Sequence, residues 1–303
     1  GCSTDGRQVP FRMMQPVSSS NRRGFLKRFF QAGLWTGVVG SGGSYAYARL
    51  IERKHPVIER VKIPLRALGS GFEGFRIVQI SDLHVEPHVN TPLLARTVAM
   101  VNELKPDLIA ITGDIITSTA RRLGDLIEPL SELRARVGVF ASLGNHDVWN
   151  AAKPVVAALH NHGVKVLQNA GFGLTQGRET LWIAGIDSVW AGHPDPLKAL
   201  RGSPAGAPCV MLGHEPDYAD TLASLSPADV LQLAGHTHGG QVCLPGGIPI
   251  HLPKYGVKYA KGHFEIGNVQ LYVNRGIGTI TTKARFACPP EITEMTLSAA
   301  ENG

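Results

Sequence analysis

Residues 75–84 read FRIVQISDLH, a short and mostly apolar run that leads directly into an aspartate and a histidine. Further runs of the same apolar character follow along the chain: DLIAITG (107–113), VGVFASLG (137–144), LWIAGI (181–186), PCVMLG (208–213), DVLQLAG (229–235) and VQLYVN (269–274). Each has the length of a buried strand, and two segments with helical spacing of apolar residues, 91–104 and 121–135, lie between them. This alternation predicts an α/β fold.

The charge of the chain is unevenly distributed. The formal net charge of the 303 residues is +6, and residues 1–48 contribute six basic residues and one acidic residue, or +5. Residues 49–303 hold 24 basic and 23 acidic residues, or +1. A nearly neutral body argues against a dedicated nucleic-acid partner, because such proteins carry a basic surface.

The four cysteines form no C-x-x-C pair, which excludes the common zinc-knuckle and thioredoxin-like motifs. Three of them lie beyond residue 48, and this odd number argues against a full disulfide framework. Cys209, in the apolar run 208–213, is expected to be a buried thiol.

The amino-terminal segment has the order of an export signal. Residues 21–28 read NRRGFLKR, and a mildly apolar stretch rich in glycine follows them and ends at Ala46-Tyr47-Ala48. The paired Arg22 and Arg23 resemble a twin-arginine signal, which predicts the twin-arginine export machinery as a partner and the bacterial cell envelope as the location. The alternative is a short membrane anchor that is retained.

These observations divide the chain into four parts. We expect a leader over residues 1–48, a linker over 49–72, the main domain over 73–297 and a tail over 298–303.

Five of the apolar runs end in potential metal ligands. These residues are Asp82 and His84, Asp114, Asn145, His214, and His236 with His238. Because ligands gather at the carboxyl ends of strands in α/β folds, we expect these side chains to meet at one edge of the sheet. The mixture of carboxylate, imidazole and amide donors suits manganese, iron or zinc better than calcium. Seven donors exceed the usual share of a single ion and favour two divalent ions that share a carboxylate.

Five blocks in this order resemble the calcineurin-like metallophosphoesterases: D-x-H (82–84), G-D (113–114), G-N-H-D (144–147), G-H (213–214) and G-H-T-H (235–238). The resemblance implies a four-layer αββα sandwich and a two-metal hydrolase in which a hydroxide that bridges the ions attacks a phosphoester. It assigns one ion to Asp82, His84, Asp114 and His238, and the other to Asp114, Asn145, His214 and His236. It gives His146 the catalytic role of protonating or stabilising the leaving group.

Further stretches of the sequence indicate the class of substrate. The stretches SDLHVEPH (81–88), GHTHGGQVCLP (235–245), LYVNRGIGT (271–279) and RFACPPEI (285–292) resemble a bacterial subgroup of exported or membrane-associated phosphodiesterases. Some of its members hydrolyse the pyrophosphate of UDP-2,3-diacylglucosamine in lipid A biosynthesis. The resemblance implies a phosphodiesterase or pyrophosphatase that acts on this or another lipid- or envelope-linked phosphodiester, with peripheral association with the membrane. Arg275 is a candidate substrate-binding residue, since guanidinium matches phosphate oxygens. His88 is a second candidate, because it lies four residues after His84.

Two alternatives share the fold. In a non-catalytic binding scaffold we expect a missing metal ligand or a missing His146, and every one of these residues is present. A nuclease or cyclic-nucleotide phosphodiesterase would keep every metal ligand and differ only in its specificity loops, although the near-neutral body argues against a polynucleotide substrate.

Overall fold

The computed structural model describes residues 42–86, 91–118, 122–225 and 228–300. The predicted twin-arginine pair, Arg22 and Arg23, and the candidate substrate residue His88 lie outside these residues.

Twelve strands form two six-stranded sheets, numbered here along the chain. The first sheet has the order β1 (Val57–Leu65), β14 (Glu291–Ala299), β2 (Arg76–Ile80), β3 (Leu108–Thr112), β4 (Gly138–Ser142), β5 (Val164–Val166). The second has the order β12 (Gly262–Ile266), β13 (Val269–Val273), β9 (Val230–Ala234), β8 (Cys209–Leu212), β7 (Glu179–Gly185), β6 (Ala170–Gln176). Strands β2 to β5 are parallel to one another, and so are β7, β8, β9 and β13. A short antiparallel ribbon consists of β10 (Cys243–Leu244) and β11 (Ile248–Pro249).

Six α-helices complete the described part of the chain: α1 (Gly42–Leu50), α2 (Thr91–Glu103), α3 (Leu123–Ile127), α4 (Asn145–Asn161), α5 (Pro196–Ala199) and α6 (Ala219–Leu225). Short 3-10 helices lie between some of these elements, and one of them, His238–Gly240, begins at the last residue of the last predicted ligand block. Among the residues described, no helix combines the length and the apolar character that a membrane crossing needs.

The two sheets pack face to face over an apolar layer. Ile77 and Leu108 of the first sheet share one fully buried cluster with Leu212 and Leu231 of the second. Alternate residues of a strand point to opposite faces, so these side chains form the interior of a sandwich. The runs predicted as strands supply most of this layer.

The outer face of each sheet is covered by helices. Val78 of β2 belongs to a second cluster that includes Leu159 of α4, and Met211 of β8 belongs to a third that includes Leu222 of α6. Helices therefore lie on both outer faces of the paired sheets, and the predicted four-layer αββα sandwich is confirmed.

Secondary structure at both ends of the domain crosses the predicted boundaries. Residues 57–65, expected within a linker, form β1 and pair along their whole length with β14. Ile63 and Leu65 alternate into the apolar layer between the sheets, which explains why this segment forms a strand of the sandwich rather than a linker. The expected leader boundary after Ala48 falls inside α1, where Ala48 is buried and its carbonyl accepts the N–H of Arg285 at 3.1 Å. The expected tail begins inside β14, which extends to Ala299.

The apolar layer between the sheets should carry much of the stability. We expect Leu212→Ala to lower the free energy of unfolding by about 2–5 kcal/mol, because it removes buried methyl groups and leaves a cavity. Leu197→Ala is a matched control, since Leu197 is 62% exposed whereas Leu212 is fully buried. Urea unfolding of both variants measures the difference. Equal midpoints for the two variants would contradict this account of the core.

Candidate metal centre

The structure brings all seven predicted metal ligands to one edge of the sandwich. Five strands, β2, β3, β4, β8 and β9, each end two or three residues before the metal ligand that follows along the chain. The ligands are Asp82, His84, Asp114, Asn145, His214, His236 and His238, and all are buried. Since these strands run parallel within each sheet, their carboxyl ends lie side by side and the loops that follow converge.

One group of potential metal ligands contains Asp82, His84 and His238, whose donor atoms all lie within 4.8 Å of one another. The Nε2 atoms of His84 and His238 are 3.0 Å apart, and His238 Nε2 lies 3.4 Å from Asp82 Oδ1. Three donors converging on one buried point are the arrangement of a cation site.

A second group contains Asp114, His214 and His236, again with donor atoms within 4.8 Å. His214 Nε2 lies 3.2 Å from Asp114 Oδ2 and 3.2 Å from His236 Nδ1. The same Asp114 oxygen is 3.6 Å from His84 Nε2 of the first group. Asp114 is therefore placed between the groups, and the division into two groups is the one that the family resemblance implies.

Asn145 supplies an independent indication that a cation fits here. It is 1% exposed, and its carbonyl oxygen Oδ1 has no hydrogen-bond donor in the structure. A buried carbonyl without a partner costs about 1–3 kcal/mol. A divalent ion beside Asp114 would satisfy this oxygen, so the donor set present suits a two-metal centre.

The backbone at the ligands is held in an unusual conformation. Five of them have a positive φ between 44° and 72°: Asp82, His84, Asp114, His236 and His238. Non-glycine residues rarely adopt this left-handed region, and such residues cluster at functional sites. Main-chain hydrogen bonds between the loops hold it, since Asp82 N–H donates to the Gly113 carbonyl and His84 N–H donates to the Asp114 carbonyl, both at 3.0 Å.

Two glycines of the motifs are needed for close packing around the carboxylates. A Cβ added to Gly144 would lie 2.1 Å from Asp114 Oδ1, and one added to Gly235 would lie 2.0 Å from Ser81 Oγ. No side chain fits at either position without displacing a ligand loop.

Burial and mutual charge set the protonation of the ligands. Burial lowers the pKa of His84 to about 4 and, with the neighbouring His84 and Arg285, holds the pKa of His238 well below its usual value. Both imidazoles are therefore neutral near pH 7, which is the form that binds metal. Burial acts against ionisation of Asp114 and against protonation of His214, but their mutual attraction outweighs it, so the pKa of Asp114 falls and that of His214 rises.

Asp147, the last residue of the G-N-H-D block, joins two ligand loops. Its carboxylate accepts the N–H of Gly144 at 3.0 Å and the N–H of Ile116 at 3.1 Å. Burial, together with the charge of Asp114, raises the pKa of Asp147 to about 7. Asp147 thus fixes the start of α4 against the segment that carries Asp114.

His146 lies beside the metal ligands but has different contacts. It is half-buried, its ring Nδ1 is 2.8 Å from the Thr117 carbonyl, and its backbone N–H donates to Asp114 Oδ1 at 2.9 Å. An Nδ1–H that donates to a carbonyl leaves Nε2 as the nitrogen that exchanges a proton. Thr117, which the sequence did not single out, therefore sets the orientation of the His146 ring.

A cavity of about 600 Å³ opens over the ligands, and Asp114, Asn145 and His146 belong to its lining. Its outer wall is aromatic. Trp149 of α4 packs edge-to-face on Trp190 with ring centroids 4.8 Å apart. Trp149 lies one helical turn after His146, and Trp190 follows the apolar run 181–186.

The predicted substrate residue Arg275 has other partners. Its guanidinium forms ion pairs with Glu59, at 2.5 Å, and with Glu291, and it is absent from the residues that line the cavity. A role for Arg275 in substrate binding therefore stays a prediction, and its ion pairs do not support it.

Arg285 was not predicted and is completely buried beneath the site. Its guanidinium donates hydrogen bonds to the carbonyls of Gly276, Gly278 and Cys288 and lies 3.3 Å from His238 Nδ1. These contacts tie the last ligand block to the loop that precedes β14. A lone arginine in the sequence RFACPP gives no signal of such a role.

Comparisons with known proteins agree with this geometry. Residues 75–259 match the family model described as Calcineurin-like phosphoesterase. A metallophosphoesterase of Bacillus subtilis, YkuE, is 37% identical over 288 residues, which cover 93% of this chain and 99% of the relative. The phosphodiesterase YaeI of Escherichia coli is 30% identical over 278 residues, covering 89% of this chain and 98% of the relative.

A transmembrane protein with a metallophosphoesterase domain, from Danio rerio, is 33% identical over 258 residues. The match covers 81% of this chain but 58% of that longer protein. The family match spans more than half of the chain and contains all five strands that lead into the metal ligands. The chain therefore belongs to the calcineurin-like phosphoesterases and is a metal-dependent phosphoester hydrolase.

Proposed function

We propose that this hydrolase is a phosphodiesterase or pyrophosphatase whose substrate carries a bulky apolar group on one side of the phosphate. The observation that supports this proposal most directly is the aromatic and apolar wall of the cavity, which begins next to His146 and faces the two groups of metal ligands. The similarity to a relative named as a phosphodiesterase also favours a diester.

The metal ligands form two sets, one for each of two ions. Asp82, His84 and His238 would hold one divalent ion, and Asn145, His214 and His236 the other, with Asp114 shared. When bound, two such ions would lower the pKa of water and neutralise charge on the phosphate oxygens. The mixture of imidazole, carboxylate and amide favours manganese, iron or zinc.

His146 would act on the leaving group. The Thr117 carbonyl holds its Nδ1–H, so Nε2 is the atom that delivers a proton to the departing oxygen. The backbone N–H of His146 bonds to Asp114, which fixes the start of α4 relative to the shared carboxylate. The position of this imidazole in the cavity lining suits general acid catalysis.

The outer rim of the cavity favours a lipid-linked substrate. Leu244, Ile248 and Ile250 on and beside the ribbon of β10 and β11 are 52%, 59% and 63% exposed, and Ile250 also lines the cavity. Exposed apolar side chains that cluster at a site mark a binding surface. Residues 238–264 contain three lysines and no acidic residue, a charge that suits an anionic membrane surface. UDP-2,3-diacylglucosamine is one member of this substrate class, and peripheral membrane association would follow from it.

Two histidine variants separate catalysis from metal binding. We expect His146→Ala to keep both metals and to lower kcat by about 10²- to 10⁴-fold, because it removes a proton donor but no ligand. We expect His238→Ala to lose metal as well as activity. Hydrolysis of bis-p-nitrophenyl phosphate with Mn²⁺, with metal content measured on the same samples, provides both readouts.

His160→Ala is the control, since His160 is exposed near the end of α4. A His146→Ala variant with full activity would remove His146 from the mechanism. A metal-loaded wild-type protein that hydrolyses neither a phosphodiester nor a pyrophosphate would overturn the proposed function.

The aromatic wall can be tested with substrates that differ in one ester group. We expect Trp149→Ala to raise KM for bis-p-nitrophenyl phosphate by roughly 2- to 10-fold, the energy of an aromatic contact. KM for methyl p-nitrophenyl phosphate should change less, because its smaller group reaches less of the wall. Trp149→Phe should restore most of the difference. An equal change in KM for both substrates would show that the wall does not select the ester group.

We propose the bacterial cell envelope as the location, reached by twin-arginine export, on the sequence of residues 21–28 alone. Replacement of both Arg22 and Arg23 by lysine should retain the protein inside the cell, because that machinery reads the arginine pair. Fractionation and immunoblotting of cells that express the full chain measure the effect. Undiminished export of the double variant would exclude this route. A single Arg7→Lys replacement is the control, because it makes the same exchange outside the arginine pair.

A further inference from the structure

Two of the three cysteines that the structure describes lie next to each other beneath the metal centre. Cys243 is the first residue of β10, and Cys288 lies in the loop before β14. Their thiols both contact the Gly239 carbonyl oxygen, at 3.3 Å from Cys243 Sγ and 3.5 Å from Cys288 Sγ, which brings the two sulfur atoms close together. The sequence separates these residues by 45 positions, so no local motif reveals the pair.

The backbone holds the two cysteine-bearing segments side by side. Val242 and Phe286 form a parallel bridge, and the N–H of Cys243 donates to the Phe286 carbonyl at 2.9 Å. On the other side, Glu52 accepts the N–H of Cys288 at 2.7 Å. A disulfide needs Cβ atoms about 3.5–4.5 Å apart, a separation that the backbone sets, and rotation about χ1 then brings the two sulfur atoms together.

We propose that Cys243 and Cys288 form a disulfide bond that clamps the loop carrying His236 and His238. The bond forms by thiol–disulfide exchange with a disulfide co-reactant such as oxidised glutathione. A Cys thiolate attacks the co-reactant's S–S bond and releases one of its halves as a thiol, and the second Cys thiolate then displaces the other half. One protein S–S bond forms, one S–S bond of the co-reactant breaks, and the two electrons and two protons of the cysteines pass to two co-reactant thiols.

The position of the bond explains what it would hold. Cys288 Sγ contacts the carbonyl oxygen of His238 at 3.2 Å, and the ring of the same histidine belongs to the first group of metal ligands. A Cβ on Gly239 would lie 2.8 Å from this sulfur, so the loop rests directly on the cysteine pair. A covalent bond at this point would restrain the turn that directs His238 towards Asp82 and His84. It does not depend on which phosphoester is hydrolysed.

Burial of the two cysteines limits when the disulfide can form. Cys243 is 2% exposed and Cys288 is fully buried, so exchange proceeds during folding or during local opening of the ribbon. Cys209 lies in the separate apolar cluster with Met211 and Leu222 and stays a thiol. The odd cysteine count of the body, which argued against a full disulfide framework, is compatible with one bond and one buried thiol.

Counting thiols in the unfolded protein tests the proposal. The full metal-loaded chain, refolded in a glutathione redox buffer, is denatured in guanidinium with maleimide and analysed by intact mass and peptide mapping. Of its four cysteines, we expect Cys2 and Cys209 to be labelled, and all four after reduction. A linked peptide pair containing Cys243 and Cys288 identifies the bond. Four labels without reduction, or a linked pair that contains Cys209, would overturn it.

Matched variants assign the effect to this pair. Cys209→Ser should lose one label and keep the linked peptides, whereas Cys243→Ser and Cys288→Ser should each label all three remaining cysteines. We expect the oxidised wild type to melt roughly 5–15 °C above the reduced form, since the bond closes a long loop. Metal release to a chelator should be several-fold slower from the oxidised form. Equal release rates would show that the bond does not clamp the His238 loop.

Discussion

Removal of the ligand cluster from water is the constraint on which the rest of the site depends. Two aspartates and four histidines lie within one buried cluster, and none is more than 5% exposed. Burial raises the pKa of Asp82 to about 6, which shows how strongly this environment opposes an isolated negative charge. Divalent cations resolve the conflict, because they stabilise carboxylates and bind imidazoles such as those of His84 and His238, which burial already keeps neutral. The same dry environment strengthens every electrostatic contact with a phosphate.

The loops around the cluster are held by groups that are not themselves metal ligands. Asp147 joins the segment after β3 to the start of α4, and Arg285 joins the last ligand block to the loop before β14. Arg285 is buried and bonded to carbonyl oxygens, so burial lowers its pKa and carbonyl dipoles stabilise its charge. The site is thus organised from both sheets, although the metal ligands alone suggest a set of independent strand ends.

The sequence was sufficient for the parts of this molecule that repeat a simple pattern. Apolar runs placed the central strands, and the polar residues after them located the ligands because parallel strands end at one edge. The edge strand β1 escaped prediction because VIERVKIPL is only half-buried and carries charge on its outer face. Arg285 and the pair Cys243 and Cys288 act through contacts between distant segments, and such contacts leave no local periodicity. The role of Arg275 in substrate binding stays a prediction, and its ion pairs with Glu59 and Glu291 leave no sign in the sequence because they depend on the three-dimensional fold.

The left-handed backbone of the ligands has a consequence for which residues these positions can accept. Aspartate, asparagine and histidine tolerate positive φ better than other side chains, whereas β-branched residues strongly disfavour it. Asp82, His84, Asp114, His236 and His238 are therefore selected twice, once for their donor atoms and once for their backbone conformation. A valine or threonine at any of them would oppose the turn itself, so its effect on folding would obscure its effect on metal binding. Asparagine, glycine and alanine are the informative replacements, and few residue types suit these positions of the metal centre.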